Sequence, residues 1–293
     1  MTNSSQVDPA GREGQARVVA CDMTFVVAEP AEIVLQVVAS HSAGHVEDAR
    51  FEVLTDGEPP VSVEELTDRD GASMHLVSSV PGRLTVRYRA RIRVNPGRPV
   101  EHSDDVPDVR RRLSFEQQVY QRPSRYCPSD HLVGFAVAEF GVGPGVEARV
   151  GAISEWIRQR IGYVAGSSTV HDSAEDTLLT GTGTCRDFAH LGIALCRATG
   201  IPARFAAVYA PGLSPMDFHA VFEAFQDGRW RVHDPTGLAP RQSLIRIVTG
   251  RDAADTAFAA VTKGIADLEH LEVAATAEPF LPIDDQVGMV ALA

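Results

Sequence analysis

The run Gly181-Thr182-Gly183-Thr184-Cys185-Arg186-Asp187-Phe188-Ala189-His190 puts a thiol where a helix should begin. Unpaired backbone N–H groups give a helix N-terminus a partial positive charge. That charge favours thiolate over thiol and can bring a cysteine pKa down from about 8.5 into the nucleophilic range. The helix start is signalled independently of this chemistry. Two glycines break the preceding segment, Thr184 is a good N-cap, and Asp187 three residues on completes a capping box with a carboxylate. The helix is therefore expected to begin at Cys185. Phe188, Leu191 and Leu195, with Ala189, Ile193 and Cys196, make two of its faces apolar, which places it in a core, and Gly200-Ile201-Pro202 ends it.

A nucleophilic cysteine needs a base. Phe218-His219-Ala220-Val221-Phe222-Glu223-Ala224-Phe225-Gln226 and Arg229-Trp230-Arg231-Val232-His233-Asp234 flank Asp227-Gly228, the pattern of a β-hairpin closed by a two-residue turn. With that loop, Gln226 faces Arg229 and Val221 faces Asp234. His219 and Asp234 are then diagonal neighbours on one face, about 7–8 Å apart at the backbone and within side-chain reach. Cys185, His219 and Asp234 can act as a unit in acyl transfer. The imidazole takes the thiol proton and returns it to a leaving amine, while the carboxylate holds the ring's tautomer and charge. The backbone N–H of Cys185 is one expected oxyanion donor.

These residues resemble the transglutaminase-like superfamily, and within it the bacterial group of transglutaminase-like and candidate cysteine-protease proteins. Four segments carry the resemblance: 181–204, Asp217-Phe218-His219-Ala220, Arg229-Trp230 to Asp234-Pro235-Thr236, and Arg122-Pro123-Ser124-Arg125-Tyr126-Cys127-Pro128-Ser129-Asp130. They span most of residues 113–255. The resemblance implies a papain-like catalytic core in which a cysteine helix packs on an antiparallel sheet that supplies histidine and aspartate. Val221 stands where such proteins often carry an aromatic residue.

The other candidates read as structural. Cys21, Cys127 and Cys196 fit small core residues, His190 a buried polar contact, Asp187 a cap, and His233 a partly exposed group pointing away from the His219 face. His171-Asp172 lacks further ligands at a recognisable spacing, so neither a metal nor another cofactor is expected.

Composition bounds the rest. In 293 residues, 44% hydrophobic with a net charge of −12, there is material for a large core, and the acidic balance argues against nucleic acid or an anionic membrane as partner. A peptide or protein substrate is expected. Four scattered cysteines form no disulfide framework, and the polar first residues contain no apolar targeting run, so a cytoplasmic location is expected.

The fold class expected is α+β: a leader at 1–16, a β-rich N-terminal domain at 17–105, and the transglutaminase-like catalytic domain at 106–293. Arg17–Ala20, Thr24–Val27, Glu32–Val38, Phe51–Leu54 and Ser73–Val77 read as strands. The clearest strand alternates Leu84, Val86, Tyr88, Ala90, Ile92 and Val94 with Thr85, Arg87, Arg89, Arg91 and Arg93. Its basic face is expected to be solvated beside Glu64, Glu65, Asp68 and Asp70, with a binding role as the alternative. Residues 94–112 read as a connection and 145–161 as an amphipathic helix beside the cysteine helix. Trp156 there suits packing, while Trp156 and Tyr163 are also candidates for substrate contact. Gly250–Asp255 resembles a further family segment. Leu268–Thr276 is expected as a last strand, with the C-terminus closing the catalytic domain.

Three functions fit: hydrolysis of peptide or side-chain amides through a thioester acyl-enzyme, the same acyl-enzyme resolved by an amine as in a protein-glutamine transglutaminase, and a non-enzymatic peptide-binding scaffold. Hydrolysis is preferred, because water is the default acceptor and no amine-binding feature is legible.

Overall fold

A computed structural model describes residues 15–56, 62–94, 113–141 and 145–292. The expected leader, apart from its last two residues, and the expected connection from residue 95 on lie outside the described residues.

The first sheet is built on one long strand. β1 (Ala16–Leu35) takes in the expected strands Arg17–Ala20 and Thr24–Val27 and the start of Glu32–Val38, whose last three residues lie beyond it. It pairs antiparallel with β5 (Gly82–Arg93) over Ala16–Val27 and with β4 (Ser73–Ser79) over Ala31–Leu35. The change of partner falls at Pro30, where the register on the opposite edge slips at successive places between Val27 and Ile33. Such bulges bend a strand without ending it. Gly264 sits against this bend at φ +76°, and a Cβ there would lie 2.1 Å from the Pro30 carbonyl oxygen, so only glycine fits. β2 (His45–Thr55) and β3 (Ser62–Thr67) form the flanks, in the order β2-β5-β1-β4-β3. Leu84, Val86, Tyr88, Ala90 and Ile92 of β5 are buried as their alternation requires.

The arginines of β5 face outward, with partners other than those expected. Arg87 pairs with Asp22 (2.7 Å), Arg91 with Glu278 (2.6 Å), Arg93 with Glu47 (3.0 Å) and Arg83 with Glu269. Glu64 and Glu65 lie on β3, which β1 and β4 separate from β5.

The second unit begins with α1 (Phe115–Val119), α2 (Val133–Phe140) and α3 (Val146–Arg160). A parallel pair, β6 (Gly162–Tyr163) and β7 (Thr182–Gly183), brackets α4 (Ala174–Thr180). Next come α5 (Cys185–Ala198), β8 (Ala203–Tyr209), β9 (Phe218–Gln226), β10 (Arg229–His233) and β11 (Ile245–Gly250), the strands ordered β10-β9-β8-β11. Val150, Ile153 and Ile157 of α3 share a core with α5 and with Phe205 and Phe222 of the sheet. Trp156 sits edge-on to Phe135 (5.4 Å) and Phe140 (6.1 Å), a packing role.

The last strand corrects an expectation. β12 (Ala259–Glu278) runs along β1 from Ala16↔Glu278 to Leu35↔Ala259, so it completes the first sheet rather than the second. Val273 and Ala275 are the side chains it buries there, and its exposed residues mix the charged Lys263, Asp267, Glu269 and Glu272 with Val261, Ile265 and Leu268. The chain beyond β12 does return to the second unit. Asp284 takes a bidentate bond from buried Arg241 (2.8 Å each), and the Val232 N–H donates to the Val290 carbonyl (2.9 Å).

The two sheets share one core. Tyr209, Ile245, Ile247 and Val248 of the second pack among the inward residues of β1 and β5. The Tyr209 hydroxyl donates to the Val37 carbonyl (2.7 Å), and buried Arg17 donates to the carbonyls of Ser243 (3.3 Å) and Gln242 (3.2 Å). The molecule is thus α+β, with a helix-covered antiparallel sheet fused to a β-rich one.

Candidate active site

The cysteine helix begins at Cys185. Thr184 is its N-cap in extended conformation, and Asp187 Oδ2 accepts both the Thr184 N–H (2.7 Å) and the Thr184 hydroxyl (2.8 Å). At the other end the Ile201 N–H donates to the Cys196 carbonyl and the Gly200 N–H to the Arg197 carbonyl, 2.9 Å each, a Schellman closure. Arg197, buried, donates to the carbonyls of Ala203 (3.0 Å), Arg122 (3.1 Å) and Arg251 (2.7 Å) and fastens that end to the surrounding loops. Midway, Gly192 lets Phe222 of β9 press against the helix backbone; a Cβ there would lie 2.4 Å from the ring. A fixed helix, seated on the strand that carries His219, holds the thiol in place. Cys185 is the one cysteine of four that is not fully buried.

The hairpin has the expected register. Arg229 faces Gln226 and His233 faces Phe222, while Asp227 (φ +47°) and Gly228 (φ +78°) both take the left-handed conformation that a type I′ turn demands. One step further on, Asp234 reaches His219: Nε2 and Asp234 Oδ2 are 2.8 Å apart, both side chains essentially closed to solvent. The other carboxylate oxygen, Oδ1, accepts the Thr236 N–H (3.0 Å) and hydroxyl (2.6 Å). Asp234 is therefore held on both sides. Thr236 had no role in the sequence analysis, although Asp234-Pro235 is a turn-initiating pair whose aspartate can accept the N–H two residues on.

The charge on His219 follows from these neighbours. Burial works against an imidazolium, yet the Asp234 carboxylate and its hydrogen bond outweigh that penalty, with Cys185 adding to them, and the pKa is pushed up to about 10. Nδ1 is buried and has no closed hydrogen bond among the described residues. With Nε2 given to Asp234, Nδ1 is the nitrogen left for Cys185.

Tyr163 stands beside the same group. Its pairing with Gly183 brings it next to the start of α5, and its ring tilts onto Phe188 (5.9 Å). Burial first, then the charges of Cys185, Asp217 and Asp234, raise its hydroxyl pKa above the ordinary value. Arg186 ties the neighbouring loop to α5 by donating to the Thr169 carbonyl and, at 3.4 Å, to the Ser168 hydroxyl.

The remaining candidates are elsewhere. Burial pushes the thiols of Cys127 and Cys196 up to about 12 and that of Cys21 to about 11, which suits packing. His190 is buried, stacks on Tyr126 (5.1 Å) and accepts the Ala253 N–H (3.1 Å), its pKa driven down to about 3 chiefly by burial. His233 stacks on Phe222 (5.2 Å) and meets Gln226 (2.7 Å), also at about 3 through burial. Burial keeps both rings uncharged at neutral pH. Asp172 accepts the Thr169 N–H (2.9 Å) within its own loop. Among the described residues no three His, Cys, Asp or Glu side chains converge as a metal ion would need, and no helix is long and apolar enough to cross a membrane.

Residues 139–235 match the transglutaminase-like superfamily. The solved structure of a candidate cysteine protease from Cytophaga hutchinsonii superposes with a TM-score of 0.82 at 34% identity, over 93% of this chain and 94% of that one. An uncharacterized protein of Mycobacterium leprae is 30% identical over 149 residues, 46% of this chain. One of Mycobacterium tuberculosis is 34% identical over 108 residues, 32% of this chain. The match spans 52% of the first of these curated relatives and 34% of the second.

Proposed function

We propose that this chain, which belongs to the transglutaminase-like superfamily, is a cysteine-dependent enzyme that hydrolyses peptide or side-chain amide bonds by acyl transfer through Cys185, His219 and Asp234. The observation that carries this reading is the buried His219–Asp234 bond, with Cys185 near enough to add to the charge on the ring.

Each residue takes one part in the reaction. The Cys185 sulfur attacks the amide carbon, and the carbonyl oxygen becomes an oxyanion beside the helix N-terminus, where the Cys185 N–H donates to it. The Tyr163 hydroxyl, beside Cys185, is the second donor. His219, charged through its bond to Asp234, gives its proton to the departing amine, and the C–N bond breaks to leave a thioester. The ring, now neutral, takes a proton from water as that water attacks the thioester, and the acid departs from the restored sulfur. Hydrolysis is favoured over amine transfer because Cys185 is only half-buried, so water reaches the acyl group.

The test separates thiol activation from carbonyl chemistry. Iodoacetamide should label Cys185 quickly well below pH 8.5, the usual thiol pKa of about that value, and about 10²-fold or more slowly in His219→Ala. Tyr163→Phe should keep that labelling but lose about 10²-fold in acylation by p-nitrophenyl acetate, because alkylation makes no oxyanion. Slow labelling indifferent to His219 would sink the proposed mechanism.

A further inference from the structure

On the outer face of the first sheet, most arginines of β5 meet a carboxylate: Arg83, Arg87, Arg91 and Arg93 do. Arg89 does not. Directly opposite it on β2 stands Arg50, and among the described residues neither guanidinium makes an ion pair or hydrogen bond. Like charges placed opposite each other on one sheet face destabilise the pairing. In a chain of net charge −12, acidic partners are plentiful, so this pair is not left over for want of them.

The backbone is shaped to create it. β2 pairs with β5 in one register through Glu47↔Arg91 and in another from Arg50↔Arg89 onward. The extra residue is accommodated by Asp48 and Ala49, with Asp48 at φ +50°. Without that bulge Ala49 would face Arg89 and Arg50 would turn to the opposite side of the strand. The bulge also turns Phe51 and Val53 towards the core, and that need explains the slip in register. It does not explain an arginine at position 50. On the other flank Arg89 faces Ala20 of β1, whose small side chain leaves space. A cavity of about 370 Å³ opens here, lined by Asp22, Arg50, Glu52, Arg87 and Arg89.

We propose that this cavity binds a carboxylate group of a peptide, gripped between the Arg50 and Arg89 guanidiniums. Two planar forks converging on one space suit a carboxylate, which each can bind with paired N–H donors. The charge balance sets the class of ligand. Three arginines face two carboxylates, and Asp22 is already taken by Arg87, so the cavity carries one net positive charge and matches a single carboxylate better than a polyanion. The site lies on the first sheet, apart from Cys185; that the carboxylate belongs to a peptide rests on the proposed function, and such a peptide would be held by an acidic side chain or by its chain end.

The experiment follows arginine Nε–Hε signals by NMR in the whole protein. The probes are a capped peptide with one glutamate, Ac-Ala-Glu-Ala-NH2, one with only a free C-terminus, Ac-Ala-Ala-Ala-OH, and inorganic phosphate. Expected are saturable shifts at Arg50 and Arg89 with at least one peptide, loss of saturation in R50Q and in R89Q, and no comparable shift at Arg83 or Arg93. Whichever peptide saturates first identifies the source of the carboxylate. R89Q should also unfold at an equal or higher temperature than the parent, since it relieves repulsion. Shifts linear in concentration, shifts shared equally by Arg83 and Arg93, tighter binding of phosphate than of either peptide, or a lower unfolding temperature for R89Q would each overturn the assignment.

Discussion

At the scale of single residues, the behaviour of the proposed site turns on which group holds the proton of His219. With its pKa pushed up to about 10, against about 6.5 in an unfolded chain, the folded state gains stability from the charged ring. That gain is complete below about pH 6.5 and disappears as pH rises through about 10. The alkaline limb of kcat/KM should fall in the same upper range, where the imidazolium that must protonate the leaving amine is lost. Asp234→Asn removes the carboxylate that does most to raise the pKa and leaves burial opposed only by Cys185. The alkaline limb should then move to lower pH, and activity at pH 7 should drop by about 10²-fold or more; an unmoved limb would mean that another group sets it. Thr236 holds the carboxylate from its other oxygen.

At the scale of elements, the site depends on α5 and β9 touching at one place. Replacing Gly192 with alanine would gain about 1 kcal/mol in helix propensity. It would also push a methyl into the Phe222 ring, an overpacking that costs about 1–3 kcal/mol. The second effect should win, lowering the urea midpoint. It should also reduce activity by moving β9, on which His219 lies three residues from Phe222. Both elements were legible in the sequence because their signals are local: Thr184 and Asp187 at one end of the helix, Gly200 at the other, and Asp227-Gly228 in the hairpin. β1 was legible only in pieces. Pro30 falls between two of the expected strands, Thr24–Val27 and Glu32–Val38, and only partners distant in the chain turn that gap into a bend. The acids that pair with β5 were hidden for the same reason, since strand order brings Asp22, Glu47, Glu269 and Glu278 to it.

At the scale of the molecule, the shared core means that the two sheets should unfold together. Trp156 and Trp230 report on the second unit, and hydrogen exchange of β5 amides reports on the first, so their transitions should coincide. Tyr209→Phe leaves the buried Val37 carbonyl without its donor. It should lower both transitions equally by about 1–3 kcal/mol, whereas separated midpoints would show two independent units. The pairing of β12 with β1 also bears on how the chain is made. Residues 16–35 emerge from the ribosome early, while the strand that covers their far edge, residues 259–278, emerges only after the whole cysteine-bearing unit. Throughout synthesis one edge of the longest apolar strand stands open to other chains. The native sheet is closed by its last strand, so a nascent chain stalled before residue 259 is expected to be a client for chaperones, even when its cysteine helix and hairpin have already formed.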